Sequence, residues 1–308
     1  MRNAFADEVN NIAKYDSRVI LLSGDIGNKL FDKFKINHQN RFLNCGIAEA
    51  NMMGVAAGLA LSGLRPIIYT IAPFTTARCF EQIRIDACYH NVPVIIVGTG
   101  SGLSYAELGP THHSCEDLAI LRTLPNINIL APADEVEFRQ AMREAIKLKS
   151  PTYIRIGKKG EEIIEKKDDS FSIGRSITVR EGKDVCLIGT GTIMPEILKA
   201  ADIISSKNIF ARVESCHTVK PLDLEMLSDV AKNYSLIVIA EEHGYIGGLS
   251  SAISEWIMIK SIYKPRVLAF GTADEFMHEI GSCEYARKKN GLTADNISKE
   301  ILQALGIS

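Results

Sequence analysis

The sequence predicts an α/β protein with two domains, each built on a mostly parallel β-sheet flanked by helices. Short runs rich in valine, isoleucine and leucine alternate with longer amphipathic stretches along the 308 residues. This alternation is typical of parallel strands that are buried on both faces. A charged stretch that begins near residue 157 interrupts it close to the middle of the chain. A chain of this length is expected to form about two domains.

The first half of the chain contains five apolar segments that we interpret as strands. An amphipathic helix over 1–17 precedes them, and a helix over 46–60 follows the first strand. Further helices are predicted at 74–91 and 134–148. The predicted strands lie at 18–22, 66–70, 93–97, 126–130 and 151–156.

The second half repeats this plan after a predicted boundary. We place the first domain at residues 1–160, a linker at 161–171 and the second domain at 172–308. The polar and charged composition of the linker is typical of a domain junction. Four strands with helices between them are predicted in the second domain, at 185–189, 210–214, 236–240 and 266–270.

The composition excludes several functional classes. The net charge is −2 at pH 7, so nothing indicates a nucleic-acid or membrane partner. No apolar run reaches the ~18 residues needed to span a bilayer, and the N-terminal segment, with its early acidic residues, is unlike a signal peptide. The seven cysteines are scattered and never spaced as Cys-x-x-Cys. They indicate reduced thiols in a cytoplasmic protein, and neither a zinc site nor a disulfide framework.

One carboxylate stands out in the segment 46–60. Glu49 is the only charged residue between Arg41 and Arg65, and it lies in a run of small and apolar residues. A carboxylate is costly to bury unless it meets a specific partner. Two interpretations therefore follow from the pattern alone: a solvated glutamate that is stabilised by the helix dipole, or a buried functional acid.

The segment Gly46-Ile47-Ala48-Glu49 resembles a motif of the thiamine-diphosphate enzymes, in particular of transketolase and its relatives. The resemblance implies that Glu49 is the catalytic acid/base, hydrogen-bonded to N1′ of the aminopyrimidine of thiamine diphosphate. A buried carboxyl group can share a proton with a ring nitrogen near neutral pH. Residues 71–84 are similar to the family segment in which an aromatic ring stacks on that heterocycle. Phe74 is the first choice for this ring and Phe80 the second, and a position in the core is the alternative for both.

A glycine-rich loop at 98–113 follows the third predicted strand, at the end where open α/β sheets bind their ligands. Its Gly-Pro-Thr-His sequence ends at His112 and resembles the transketolase substrate loop. The resemblance implies that His112 contacts substrate hydroxyls and assists proton transfer, a task that suits imidazole. Without the flanking match, two adjacent histidines in a loop would indicate simple surface exposure.

Substrate recognition is expected to differ from that of ordinary transketolases. Leu108 stands where the family usually has an aspartate that recognises an acceptor hydroxyl. By the same resemblance, Arg155 and Lys158 hold a substrate phosphate, with a solvated strand end as the alternative, and Arg2 reaches the substrate. The sequence leaves open which sugars react and whether Leu108 changes the choice of acceptor.

The family's motif for metal and diphosphate is missing from the sequence. Gly24-Asp25 resembles its beginning, but Ile26 and the lack of a following Asn-Asn pair break the pattern. We interpret Asp25 as a helix or turn cap, and no metal ligand is predicted in this chain. The resemblance therefore implies the C-terminal subunit of a split transketolase. Thiamine diphosphate would lie between two chains, with Mg²⁺ and the diphosphate bound mainly by an N-terminal partner subunit.

The implied reaction is the transfer of a two-carbon ketol unit from a ketose, free or phosphorylated, to an aldose, in a dimer of heterodimers. The segments 217–223 and 241–249 resemble the family's C-terminal domain, and we interpret them as structural and interfacial. One alternative is the β subunit of a 2-oxoacid dehydrogenase E1, against which the Gly-Pro-Thr-His loop argues. Another is a deoxyxylulose-phosphate synthase-like enzyme. A third is a non-catalytic assembly subunit, against which Glu49 and His112 argue.

Overall fold

The computed structural model describes residues 1–27, 29–166 and 170–307. It contains two sheets flanked by helices, which confirms the predicted fold class. Residues 167–169 of the predicted linker and Ser308 of the predicted second domain lie outside the described residues. Within the described ranges, no helix combines the length and the apolar character that crossing a bilayer requires.

The described residues form strands and helices that alternate along most of the chain. The strands are β1 (Val19–Ser23), β2 (Phe42–Asn44), β3 (Arg65–Ile71), β4 (Ile95–Thr99), β5 (Asn128–Leu130), β6 (Thr152–Ile156), β7 (Ile177–Arg180), β8 (Val185–Thr190), β9 (Ala211–Ser215), β10 (Thr218–Lys220), β11 (Leu236–Gly244) and β12 (Arg266–Thr272). The α-helices are α1 (Arg2–Tyr15), α2 (Asp32–Asn37), α3 (Glu49–Leu61), α4 (Ala72–Thr75), α5 (Phe80–Gln82), α6 (Asp117–Arg122), α7 (Glu135–Ala145), α8 (Met194–Ser205), α9 (Leu224–Asn233), α10 (Leu249–Ile259), α11 (Cys283–Lys289) and α12 (Ala294–Ala304).

In the described chain, the first sheet has the strand order β10-β5-β6-β4-β3-β1-β2. Its neighbouring strands are parallel except for β10, which pairs antiparallel with β5. The register places Ile71 of β3 beside Thr99 of β4, so these two strands end side by side at one edge of the sheet. Since β10 comes from the second half of the chain, the second domain completes the sheet of the first.

The second sheet has the order β12-β11-β8-β9-β7 in the described ranges, and β7 alone among these runs antiparallel to its neighbour. Helices α8 and α12 pack together on one face, where Leu187, Ile197 and Ile301 are buried in a common core. On the other face, Ile188 and Ile239 join a core that continues into the first domain around Met52. One apolar core therefore spans both domains.

The helix predicted at 74–91 is instead broken into short segments. Helix α4 is followed by a 3₁₀ turn at Ala77–Cys79, by α5 and by a π-helical segment at Ile83–Tyr89. The hydroxyls of Thr75 and Thr76 both donate to the carbonyl oxygen of Ala72, at 3.0 and 2.8 Å. Such side-chain bonds compete with the backbone ladder of a helix. The break gives the residues after β3 a compact turn at the edge of the sheet.

Candidate active site

Three of the predicted site residues, Glu49, Phe74 and His112, come from elements that meet at the carboxyl ends of β3 and β4. Strand β3 leads directly into α4, and β4 leads into the loop at 100–116. Helix α3 packs on β3 and begins with Glu49 beside them. The carboxyl ends of parallel strands are where open α/β sheets form their ligand sites.

Glu49 is a buried carboxylate with one charged partner. The residue is only 2% exposed, and its Oε2 accepts a hydrogen bond from Nη1 of Arg78 at 2.8 Å. The side chain of Arg78 is 45% exposed, so the pair joins a buried acid to a cation at the surface. This burial rules out the alternative of a solvated glutamate in the first helical turn.

Arg78 also contacts the ring of Phe74, which in turn contacts His112. Its guanidinium carbon lies 4.2 Å from the centroid of the Phe74 ring, in a cation–π contact. The Phe74 ring in turn meets the imidazole of His112 edge to face, with centroids 5.3 Å apart and planes at 66°. Glu49, Arg78, Phe74 and His112 thus form a continuous row of contacts, which we call the site row.

The His112 ring is held by neighbours within its own loop. Its Nδ1 lies 2.9 Å from the hydroxyl oxygen of Thr111, and the Tyr105 ring approaches it edge to face, with centroids 6.0 Å apart. Gly100 has a φ of +79°, and a Cβ there would lie 2.0 Å from the Tyr105 ring. Glycine at this position therefore permits both the turn of the loop and the packing of the ring beside His112.

Lys158 and His112 both contact the ring of Tyr105. Its ammonium nitrogen is 4.9 Å from the centroid of the Tyr105 ring, and it forms an ion pair with Glu107 of the same loop. Burial, followed by the positive charges of Lys159 and Arg2, lowers the pKa of Lys158.

The structure does not place Arg155 where it could bind a substrate phosphate, so this predicted role is not retained. Arg155 is 3% exposed, and its Nε donates to the Asp117 carboxylate at 2.8 Å. Its Nη2 donates to the carbonyl oxygens of Ser114 and Glu242, each at 2.7 Å. Burial acts to raise the pKa of Asp117, but the charges of Arg155 and His243 and the hydrogen bonds from Arg155 and Tyr153 together outweigh it and lower that pKa. Arg155 is a buried cation that joins the two domains.

Phe80 and Arg2 also lie away from the site row, and Asp25 does not have its expected role. Phe80 packs against the core beneath α3, which agrees with the alternative that we considered for it. Arg2 lines a cavity of about 560 Å³ with Asp7 and Lys29, and the described lining includes none of the other predicted site residues. Asp25 does not cap a helix: it has a φ of +58°, and its Oδ1 accepts a hydrogen bond from the Asn44 amide.

The residue that the sequence analysis missed is Arg78. It lies four residues after Phe74, a spacing that places two side chains on the same side of a helical turn. An arginine at this spacing from Phe74, in the segment that follows a predicted strand, is the signal that could have indicated the contact between Arg78 and the Phe74 ring.

The site row fits one part of thiamine diphosphate, the aminopyrimidine. It offers a buried carboxylate for a ring nitrogen and a half-buried aromatic face for a planar heterocycle. Among the described residues, no group of three or more His, Cys, Asp or Glu side chains could hold a metal ion.

Comparison with known proteins gives consistent matches over most of the chain. Residues 1–160 match the family model of the transketolase pyrimidine-binding domain, and residues 174–297 match that of the transketolase C-terminal domain. The chain is 33% identical to the 6-deoxy-6-sulfo-D-fructose transketolase subunit SqwH of Clostridium sp. (strain MSTE9), covering 99% of this chain and 92% of that protein. It is 32% identical to a subunit of the apulose-4-phosphate transketolase of Phocaeicola vulgatus, covering 94% of each. A solved structure described as a split gene transketolase, inactive β4 tetramer, superimposes with a TM-score of 0.89 at 33% identity, over 99% of this chain and 98% of that one.

Proposed function

Because the chain belongs to the transketolase family, we propose that it is the C-terminal subunit of a split, thiamine-diphosphate-dependent transketolase. In this proposal it transfers a two-carbon ketol unit from a ketose to an aldose and is active only with an N-terminal partner subunit. The observation that carries the proposal is the site row, in which a buried carboxylate, an aromatic face and an imidazole follow one another at the sheet edge.

Glu49 and Phe74 are assigned to the cofactor. When bound, thiamine diphosphate supplies the electron sink for the carbanion that ketol transfer requires. Glu49 shares a proton with the ring nitrogen of the aminopyrimidine, and its burial excludes water that would compete for that proton. Phe74 provides the stacking face. Arg78 now lies over this ring, so we expect its guanidinium to move aside when the heterocycle binds.

His112 and the cations near it are assigned to the substrate. The His112 imidazole can donate to or accept from a sugar hydroxyl and can hold a proton during transfer. Lys158 contacts the Tyr105 ring beside it, and Arg2 is near enough to lower the pKa of Lys158. We propose that Lys158, supported by the charge of Arg2, attracts an anionic group of the substrate. The named relatives act on a sulfosugar and on a sugar phosphate, which are both anionic.

The partner subunit is assigned the magnesium ion and the diphosphate. The similar split transketolase is an inactive β4 tetramer, which supports the proposal that this subunit self-associates. We propose a dimer of heterodimers as its active form. The seven cysteines are free, in agreement with the cytoplasmic location that we propose.

The proposal is tested by calorimetric titration of thiamine diphosphate with Mg²⁺ into this chain alone, and then into its mixture with the N-terminal subunit. We expect tight, magnesium-dependent binding and ketol transfer only in the mixture. A Glu49→Gln variant should lower kcat by about 10²- to 10⁴-fold, the usual contribution of general acid–base catalysis. Glu81→Gln serves as the control because Glu81 is exposed and paired with Arg84. Tight magnesium-dependent binding by the lone chain, or full activity of Glu49→Gln, would refute the proposal.

A further inference from the structure

The loop that holds His112 is closed by a narrow neck. Gly102 and Ser114 form an isolated antiparallel bridge, with reciprocal N–H to carbonyl distances of 3.2 and 3.0 Å. The segment between them includes His112. Because the two ends of the segment are joined, any group that fixes the neck also restricts where the imidazole can lie.

The second domain contacts this neck through Glu242, at the end of β11. Glu242 is 1% exposed, and its Oε2 accepts a hydrogen bond from the backbone N–H of Leu103 at 3.1 Å. Gly102 has a φ of +56°, and a Cβ there would lie 2.5 Å from the Cβ of Glu242. Glycine at the neck therefore lets the loop approach β11 closely enough to form this bond.

Arg287 of α11 holds the other side of the Glu242 carboxylate. Its Nε donates to Oε1 of Glu242 at 2.7 Å, and its Nη2 donates to the carbonyl oxygen of Thr192 at 2.8 Å. Leu103 and Ala106 of the loop are buried in the apolar core of the second domain. The start of the loop is therefore anchored to the second domain by a charged pair and by apolar packing together.

We propose that Glu242, fixed by Arg287, is a positioning residue for His112, so that the second domain sets the place of the imidazole in the active site. The inference rests on the proposed function, because it takes His112 to be the residue that handles the substrate. It assigns to the segment 241–249 a role in the reaction in addition to the structural and interfacial role expected from the sequence.

Glu242→Gln tests the positioning role at nearly constant side-chain volume. A carboxylate accepts with both oxygens, whereas an amide has one oxygen and one donating nitrogen. The variant must therefore lose either the bond to Leu103 or a bond to Arg287. Glu214→Gln is the matched control, because Glu214 is equally buried and pairs with Arg212 at 2.6 Å in the same sheet.

The first measurement is amide hydrogen exchange of residues 103–113, made on the chain alone, which reports local opening without any need for catalysis. We expect Glu242→Gln to speed exchange in this segment at least tenfold and Glu214→Gln to leave it unchanged. Exchange in β8 and β11 shows whether each variant is folded. Should Glu242→Gln not fold, Arg287→Lys, which keeps the charge but loses the guanidinium fork, is expected to give a smaller increase in the same segment. Unchanged exchange in a folded Glu242→Gln, or an equal increase in Glu214→Gln, would overturn the proposal.

The second measurement uses the complex with the N-terminal subunit. We expect Glu242→Gln to lower kcat at least tenfold, to leave the Kd for thiamine diphosphate unchanged, and to add nothing further in a His112→Ala background. A full additional loss in that background would show that Glu242 acts independently of His112 and would refute the inference. Failure of the proposed function would give a different result. In that case His112→Ala would not lower kcat, whereas the faster hydrogen exchange of residues 103–113 in Glu242→Gln would still be observed.

Discussion

Replacing His217 with asparagine is expected to weaken the dependence of stability on pH between pH 7.0 and 5.5. His217 follows β9, is fully buried, and stacks on the ring of Phe171 with centroids 3.9 Å apart. Its Nδ1 lies 3.0 Å from the hydroxyl of Thr218, while no hydrogen-bond partner for Nε2 is present among the described residues. Burial, together with the nearby charge of Lys166, lowers the pKa of His217 to about 3.

The sign and size of the effect follow from this pKa. An unfolded histidine has a pKa of about 6.5, so as the pH falls the unfolded chain takes up a proton that folded His217 does not. Proton binding to the unfolded state alone lowers the free energy of unfolding. The contribution of His217 is complete above the unfolded pKa and declines as the pH falls from about 6.5 towards 3. Between pH 7.0 and 5.5, a single site with these two pKa values loses about 1.3 kcal/mol.

The assay is urea denaturation at both pH values for the wild type, His217→Asn and His90→Asn. His90 is exposed and serves as the matched control. The substitution at His217 also removes the stacking on Phe171, but that loss is the same at both pH values and cancels in the comparison. We expect the stability difference between wild type and His217→Asn to shrink by about 1.3 kcal/mol at pH 5.5, and the profile of His90→Asn shows how much of any change comes from replacing a histidine at the surface. Parallel pH profiles of the wild type and His217→Asn would refute the reasoning.

Three further substitutions test the assignments at the site, each in the complex with the N-terminal subunit. Phe74→Leu should weaken thiamine diphosphate binding about fivefold, because ~1 kcal/mol of stacking is lost, whereas Phe80→Leu should lower only the thermal stability. If calorimetry shows weaker binding for Phe80→Leu and unchanged binding for Phe74→Leu, Phe80 is the stacking ring. Leu108→Asp should raise about fivefold the ratio of kcat/KM for acceptors with a C2 hydroxyl to kcat/KM for their deoxy analogues, because the aspartate adds one hydrogen bond. If this ratio does not change, residue 108 does not recognise the acceptor. Lys158→Met should raise KM for an anionic ketose about tenfold with little change for a neutral one, whereas Lys147→Met, an exposed control, should change neither.

Apolar runs were sufficient to predict the central strands. The segment at 66–70 lies within β3 and the segment at 93–97 overlaps β4, because strands buried on both faces are mostly apolar. Strands β2, β7 and β10 were not predicted. They have only three or four residues and no long apolar run of their own, and each pairs with a neighbouring strand of its sheet. Such pairing depends on tertiary contacts and leaves little trace in a local pattern.

The site was predictable where a motif identifies a residue and unpredictable where distant partners decide its environment. Motifs indicated Glu49 and His112, and the structure brings both into one row of contacts. The burial of Arg155 could not be foreseen, because its acceptors at Asp117 and Glu242 lie 38 and 87 residues away in the sequence. The same holds for Glu242, whose contact with the loop spans 139 residues.

The pairing of β10 with β5 has a consequence for any attempt to separate the domains. Thr218 and Lys220 pair with Leu130 and Ile129, and the Lys220 ammonium donates to the carbonyl oxygen of Arg122 at 2.9 Å. A fragment that ends at residue 160 would leave β5 as an open strand edge, and open edges recruit strands from other molecules. We expect such a fragment to aggregate when it is produced alone. We therefore expect the two ranges that the family models match to depend on each other for folding, although the models describe them as separate domains.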